Sequence, residues 1–334
     1  MERGRDPVEE ASDESRDLHE VSTWEPRTPL DALAYTVYNG ISYGFQAIVL
    51  LVALAITATL LVQPAILVAD EPALAVFFAL SVVPAALLAG FIWYTDITTN
   101  EPLGLLVATF VLAVLFATFA AVVNSVFAGL QAIPLVGAAL FFYLIVGPVE
   151  EAVKLLAVRV FAYRSDSFDA VIDGAVYGAV AGLGFAAIEN AIYISGTVAE
   201  ADIGTITAAT GIATVRALVG PGHVIYSAIA GYYLGLAKFN PDNAGPIVAK
   251  GLLIAAFVHA TYNTTVGFVP DLVASLYAVP PSVAFVGYVI AFDIAVGYYL
   301  YRKIVRYRRA YRDVRDDTGP EPKPELTEFD PPQR

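Results

Sequence analysis

No cysteine occurs in the 334 residues, so the chain offers no disulfide and no zinc-finger spacing. Charge is also scarce: 15% of residues are Asp, Glu, Lys or Arg, against 57% that are hydrophobic. Soluble globular domains carry about 25% charged residues, so that class is excluded. Lysine is rare, and the one basic cluster, Arg302 to Arg315, directly follows an apolar segment. Nothing therefore points to nucleic acid. The formal net charge of −13 sits largely in the tails and loops. An acidic surface, few lysines and no cysteine resemble the composition of proteins from a salt-loaded halophile cytoplasm, where dense carboxylates keep the surface hydrated. No short apolar segment with a small-residue cleavage site stands near the start, so no signal peptide is expected.

Long apolar runs fill the rest. They fall at about 33–62, 72–94, 103–128, 135–162, 171–197, 220–238, 247–269 and 281–305, each near the roughly 20 residues that cross a bilayer. The expected fold is an all-α polytopic membrane protein of about eight transmembrane helices. Breaks are expected at Gln63-Pro64, Asp70-Glu71-Pro72, Asn100-Glu101-Pro102, Ile133-Pro134, Asn240-Pro241 and Pro280-Pro281. Residues 1–31 read as a disordered acidic tail, 32–306 as the membrane domain and 307–334 as a charged tail. Lys and Arg gather in both tails and beside the fourth and sixth loops, while the first, third and seventh loops have none. This asymmetry places both termini in the cytoplasm. Arg216 is the exception. It lies in a Thr- and Ala-rich piece, 203–219, that reads as re-entrant or interfacial, feeding the sixth span.

Against this apolar background the ionisable residues stand out. Glu150, Glu151 and Lys154 lie within five positions of the fourth span. An ionised side chain near the bilayer centre costs at least about 2.5–3.5 kcal/mol, so these need partners, a wet cavity or a function. Helical spacing puts Glu150 and Lys154 on one face with Glu151 beside them. The fifth span carries Asp169 and Asp173, a stripe of Gly174, Gly178 and Gly182 that permits close helix approach, and then Phe185, Glu189 and Asn190. Two of the three histidines are in spans: His223, aligned with Ser227 and Gly231, and His259, aligned with Asn263. Asp293, in the last span, reads as a structural partner to a Tyr hydroxyl or a His.

Imidazole and carboxylate are the ligands of catalytic zinc, which keeps one position for water. The same groups also suit water activation without metal, with Glu as base, His as orienting partner and Asn263 as oxyanion donor. A buried structural ion network and a proton relay in a transporter draw on the same residues. No internal repeat of the kind transporters show is evident.

Four groups of residues carry a family resemblance: Glu150-Glu151 with Lys154, Phe185 with Glu189-Asn190, His223 with Gly231, and His259 with Asn263. In this order, over about 147–265, they resemble the four motifs of the PrsW-type intramembrane proteases. The CAAX prenyl endopeptidase and bacteriocin-processing group is also similar, but it carries Arg where Lys154 stands and His where Glu189 stands. The resemblance implies a membrane endopeptidase that hydrolyses membrane-anchored proteins, such as an anti-sigma factor, with its site between the fourth and seventh spans. In that reading Glu150 or Glu151 activates water and Lys154 tunes their charge. His223 and His259 bind Zn2+ or orient the nucleophile, with Glu189 as third ligand or second acid/base. Asn190 and Asn263 steady the oxyanion. The other functions weighed are a proton-coupled transporter and a membrane protein that binds partners without catalysis.

Overall fold

The computed structural model describes residues 17, 19, 25–98 and 101–316. Most of the expected amino-terminal tail and everything after Asp316 lie outside them. The described chain is helical: α1 Pro29–Asp70, α2 Leu74–Tyr94, α3 Leu103–Phe127, α4 Gly137–Phe141, α5 Gly147–Val160, α6 Val171–Glu200, α7 Thr205–Lys238, α8 Ala244–Thr265, α9 Val269–Tyr277 and α10 Pro281–Asp316. Among the described residues seven helices are long and apolar enough to cross a membrane, and the chain is a polytopic membrane protein. The remaining expected span, the fourth at 135–162, is α4 and α5 joined by a π-helical turn, Phe142–Val146. Glu150, Glu151 and Lys154 are what separate it from the uniformly apolar helices.

Three boundaries differ from the sequence expectation. Residues 205–219 are no re-entrant piece but the first half of α7, which runs straight through Pro221. The charge that made this stretch look interfacial, Arg216, is buried and paired with Glu189. Helix α1 continues past Pro64 to Asp70. A proline removes one backbone hydrogen bond without ending a helix that neighbouring turns sustain in an apolar setting. Helix α10 carries the basic cluster on its last turns rather than stopping near residue 305.

The chain divides after Gln63 into two compact units. In the first, Thr28 and Asp31 start α1 with reciprocal bonds: the Thr28 N–H donates to Asp31 Oδ2 at 2.8 Å and the Asp31 N–H to Thr28 Oγ1 at 3.2 Å. Large apolar side chains such as Ile41 and Phe45 stay exposed along it, as suits a helix whose solvent is lipid.

The second unit is built on the antiparallel contact between α6 and α7, with α2, α3, α5, α8 and α10 packed around it. The glycine stripe makes this possible. A Cβ on Gly182 would stand 2.3 Å from the carbonyl oxygen of His223, so the two backbones meet with no side chain between them. Residues 95–98 and 163–170 lie on one face of this unit, where Thr98 Oγ1 is 3.4 Å from Asp173 Oδ1. Lys238, at the end of α7, joins the same face by donating to the carbonyls of Tyr163, Ser165 and Phe168 at 2.9, 3.2 and 2.7 Å. The second, fourth and sixth loops therefore share one face, in the alternation that the charge pattern predicts.

Candidate active site

The first helix of the site is α5. Its approach to α8 is set by Gly147, where a Cβ would stand 2.6 Å from the carbonyl oxygen of Ala256. One turn further along each helix, Glu151 and His259 meet: His259 Nδ1 is 2.8 Å from Glu151 Oε1. Glu151 is fully buried, and its other contacts are Lys154 Nζ at 2.7 Å and Ser227 Oγ at 3.3 Å. A carboxylate accepts, so His259 Nδ1 carries the proton and donates it.

Lys154 links this pair to the second histidine, with Nζ 3.0 Å from His223 Nδ1. An ammonium has no lone pair, so Nδ1 must accept and the His223 proton must be on Nε2. That Nε2 lies 2.8 Å from Glu189 Oε2, which also takes a charge-assisted bond from Arg216. Each imidazole is thus held by a carboxylate on its outer nitrogen, Glu151 for His259 and Glu189 for His223. Metal-binding histidines are characteristically oriented in this way. The His223 and His259 rings are edge to face at 5.2 Å, and Phe185 packs under both His223 and the Lys154 ammonium.

Glu150 differs from its neighbour. Its Oε1 accepts from Asn124 Nδ2 at 3.0 Å. Its Oε2 is buried with no hydrogen-bond partner, 3.7 Å from His259 Nε2 and 3.8 Å from Lys154 Nζ. Two lone-pair acceptors, Glu150 Oε2 and His259 Nε2, thus face each other with no donor between them. A tetrahedral zinc ion holds a nitrogen and an oxygen about 3.3–3.5 Å apart, so the 3.7 Å gap is near the span of such an ion. Ligand atoms of Glu150, His223 and His259 all lie within 4.8 Å of one another, and all three residues are buried. The set expected from the sequence took its carboxylate from Glu189; this cluster takes it from Glu150, because Glu189 is turned to Arg216 and His223 Nε2.

Seven of the eight predicted residues belong to this connected network. Asn190 belongs to it as a tie: its Oδ1 accepts from Arg216 Nε at 2.8 Å and its amide donates to the Ser81 carbonyl at 3.0 Å. That amide is therefore spent on Ser81 of α2. Asn263, half-buried one turn beyond His259, makes no hydrogen bond to the cluster among the described residues. Among the described residues Asp293 makes no hydrogen bond to a Tyr hydroxyl or a His; its Oδ1 is buried without a partner beside a cavity lined by Pro221 and Ile294. Sequence reasoning missed Asn124 and Ser81. Each is a polar residue in an otherwise apolar span, which was the available signal.

Residues 101–295 match the family described as PrsW family intramembrane metalloprotease. The chain is 31% identical over 185 residues to protease PrsW of Geobacillus kaustophilus, covering 54% of this chain and 76% of that protein. It is 30% identical over 186 residues to protease PrsW of Bacillus subtilis, covering 54% and 78%. It is 29% identical over 186 residues to protease PrsW of Halalkalibacterium halodurans, covering 55% and 80%. No solved structure matches the chain. The matched region contains all of α3 to α9 and every polar residue of the network described above except Ser81. An ordered set of buried carboxylates and imidazoles inside apolar helices, together with this coverage, places the chain in the PrsW family of intramembrane proteases.

Proposed function

We propose that the protein cleaves a membrane-anchored protein substrate with a water activated in the gap between Glu150 Oε2 and His259 Nε2. One observation carries this reading: Glu150 Oε2 is a buried carboxylate oxygen in the cluster with no hydrogen-bond partner, and it faces an imidazole lone pair. Water in that gap gives one proton to Glu150, the general base, as its oxygen attacks the carbonyl carbon; Glu150 then passes that proton to the amide nitrogen as the C–N bond breaks and the amine leaves. Glu151 and Glu189 hold the two imidazoles in fixed tautomers, and Lys154 and Arg216 balance their charge. Asn263 stands one turn from His259 and is the amide free to serve the developing oxyanion.

The gap also fits Zn2+, in keeping with a family of metalloproteases. Glu150, His223 and His259 would hold the ion, which supplies Lewis-acid polarisation and a more acidic bound water. His223 joins such a set only by exchanging the Lys154 ammonium for the ion, since both claim the same lone pair. Metal analysis and proteolysis of purified protein test the two versions together. About one zinc per chain, absent from the His223→Ala/His259→Ala double variant, supports the metal-bound form. Full activity in metal-free protein sinks it and leaves Glu150 as an unaided base. A Glu150→Gln variant that folds and cleaves at the wild-type rate refutes both.

The face shared by the second, fourth and sixth loops carries Arg159, Arg164, Lys238 and Lys250, which supports a cytoplasmic position for it and for both termini in the cell membrane.

A further inference from the structure

We infer that Asp96, Glu101 and Asp173 form a second cation site, separate from the proteolytic centre, that takes a hard divalent ion of the Mg2+ or Ca2+ kind. The site joins the α2–α3 connection to the first turn of α6. Asp173 is 16 residues before Glu189 on that helix, about 24 Å along its axis.

Asp96 and Asp173 each use one carboxylate oxygen for the protein and leave the other without a close donor. Asp96 Oδ1 accepts from the Thr98 N–H at 2.8 Å and the Thr98 hydroxyl at 2.7 Å, while Oδ2 is buried with no partner. Asp173 Oδ2 accepts from the Asp169 and Ala170 N–H groups at 2.8 Å, while Oδ1 has only the distant Thr98 hydroxyl at 3.4 Å. Glu101 is 5% exposed, and neither of its oxygens accepts a hydrogen bond from the side chain of another described residue; its close neighbour is the Asp96 carboxylate. One oxygen from each of the three lies within 4.8 Å of the others. Calcium holds oxygens at about 2.3–2.6 Å, so a single ion spans ligands up to about 5 Å apart.

What the cluster lacks is positive charge. Asp96, Glu101 and Asp173 make no ion pair with Lys or Arg among the described residues. Lys238, on the same face, spends its ammonium on three carbonyls. Burying carboxylates without a counter-charge is costly, and an ion or a proton must make up the deficit. The buried Tyr177 hydroxyl also has no hydrogen-bond partner among the described residues. An all-oxygen set without imidazole suits a hard ion and disfavours zinc. A bound ion would fasten the α2–α3 connection to the helix that carries Glu189 and Asn190.

The test uses the full chain in detergent, dialysed to equilibrium against Mg2+ or Ca2+ separately, at ionic strength matched with K+. The expected result is uptake of about one ion per chain and a rise of several degrees in the unfolding midpoint. Glu101→Gln and Asp96→Asn should each abolish both effects. The His223→Ala/His259→Ala variant should keep them, which distinguishes this site from the proteolytic one. Should Glu101→Gln fail to accumulate, Asp96→Asn, altered at a half-buried position, carries the test. No uptake of either ion up to about 10 mM, beyond the roughly 10⁻³ M of the weakest oxygen sites, overturns the inference. Uptake undiminished in both carboxamide variants overturns it equally.

Discussion

Replacing Gly182 by alanine tests whether the glycine stripe sets the active-site geometry or only packs two helices. A Cβ at this position would stand 2.3 Å from the His223 carbonyl oxygen, 2.7 Å from its carbon and 2.8 Å from Val224 Cα. Ordinary contact begins at 3.4 Å, so α7 must retreat from α6 by about 1 Å at His223 itself. Backbone atoms, unlike the tip of a flexible side chain, cannot swing aside. The His223 Nε2 to Glu189 Oε2 contact, 2.8 Å in the structure, would open beyond hydrogen-bond range. A misplacement of about 1 Å in a catalytic constellation costs on the order of 10²-fold in rate. Overpacking costs about 1–3 kcal/mol in stability, which leaves much of the protein folded. The assay is cleavage of a single-span reporter that the wild type cuts, normalised to protein that elutes as a monodisperse species. Gly196→Ala is the control: it lies on the same helix, with nothing within 4 Å of the added Cβ. The expected outcome is a loss near 10²-fold for Gly182→Ala and little change for Gly196→Ala. If Gly182→Ala retains more than about a third of wild-type activity, or if the two variants fall together, the reasoning fails.

Arg216→Gln should lower accumulation and cut cleavage at least about tenfold, because it strips the counter-charge from Glu189 and one bond from Asn190; breaking a buried pair costs about 3–5 kcal/mol. Arg216→Lys should recover part of the loss, since an ammonium balances the charge but lacks the fork that reaches both residues; both are read by reporter cleavage and membrane accumulation. The loop alternation predicts that single cysteines placed at the exposed positions Asp166 and Asn243 resist a membrane-impermeant thiol reagent in intact cells, whereas cysteines at Gln131 and Asp202 react; the opposite labelling pattern would invert the topology.

What the sequence determined by itself is the part of the protein written in local pattern and in cost. Apolar runs of bilayer length leave the backbone no option but helix, because an unpaired N–H or C=O in lipid is too expensive. Within those runs Glu150, Glu151, Lys154, Glu189, His223 and His259 were visible for the same reason: each is costly enough to need an explanation. Local pattern failed where a distant residue changed the cost. Arg216 made 203–219 look unsuited to a membrane helix, until Glu189 and Asn190, far away in sequence, neutralised it inside α7. Only the tertiary structure could divide the labour among the carboxylates. Glu150 and Glu151 are adjacent and chemically identical. The helix faces they occupy send one to His259, Lys154 and Ser227, and leave the other with a bare oxygen. Spacing along one helix places a side chain on a face; what that face meets is decided by the other helices. That is why the tautomers of the two imidazoles, the spent amide of Asn190 and the cationless trio of Asp96, Glu101 and Asp173 emerge only when α2, α3, α5, α6, α7 and α8 are packed together.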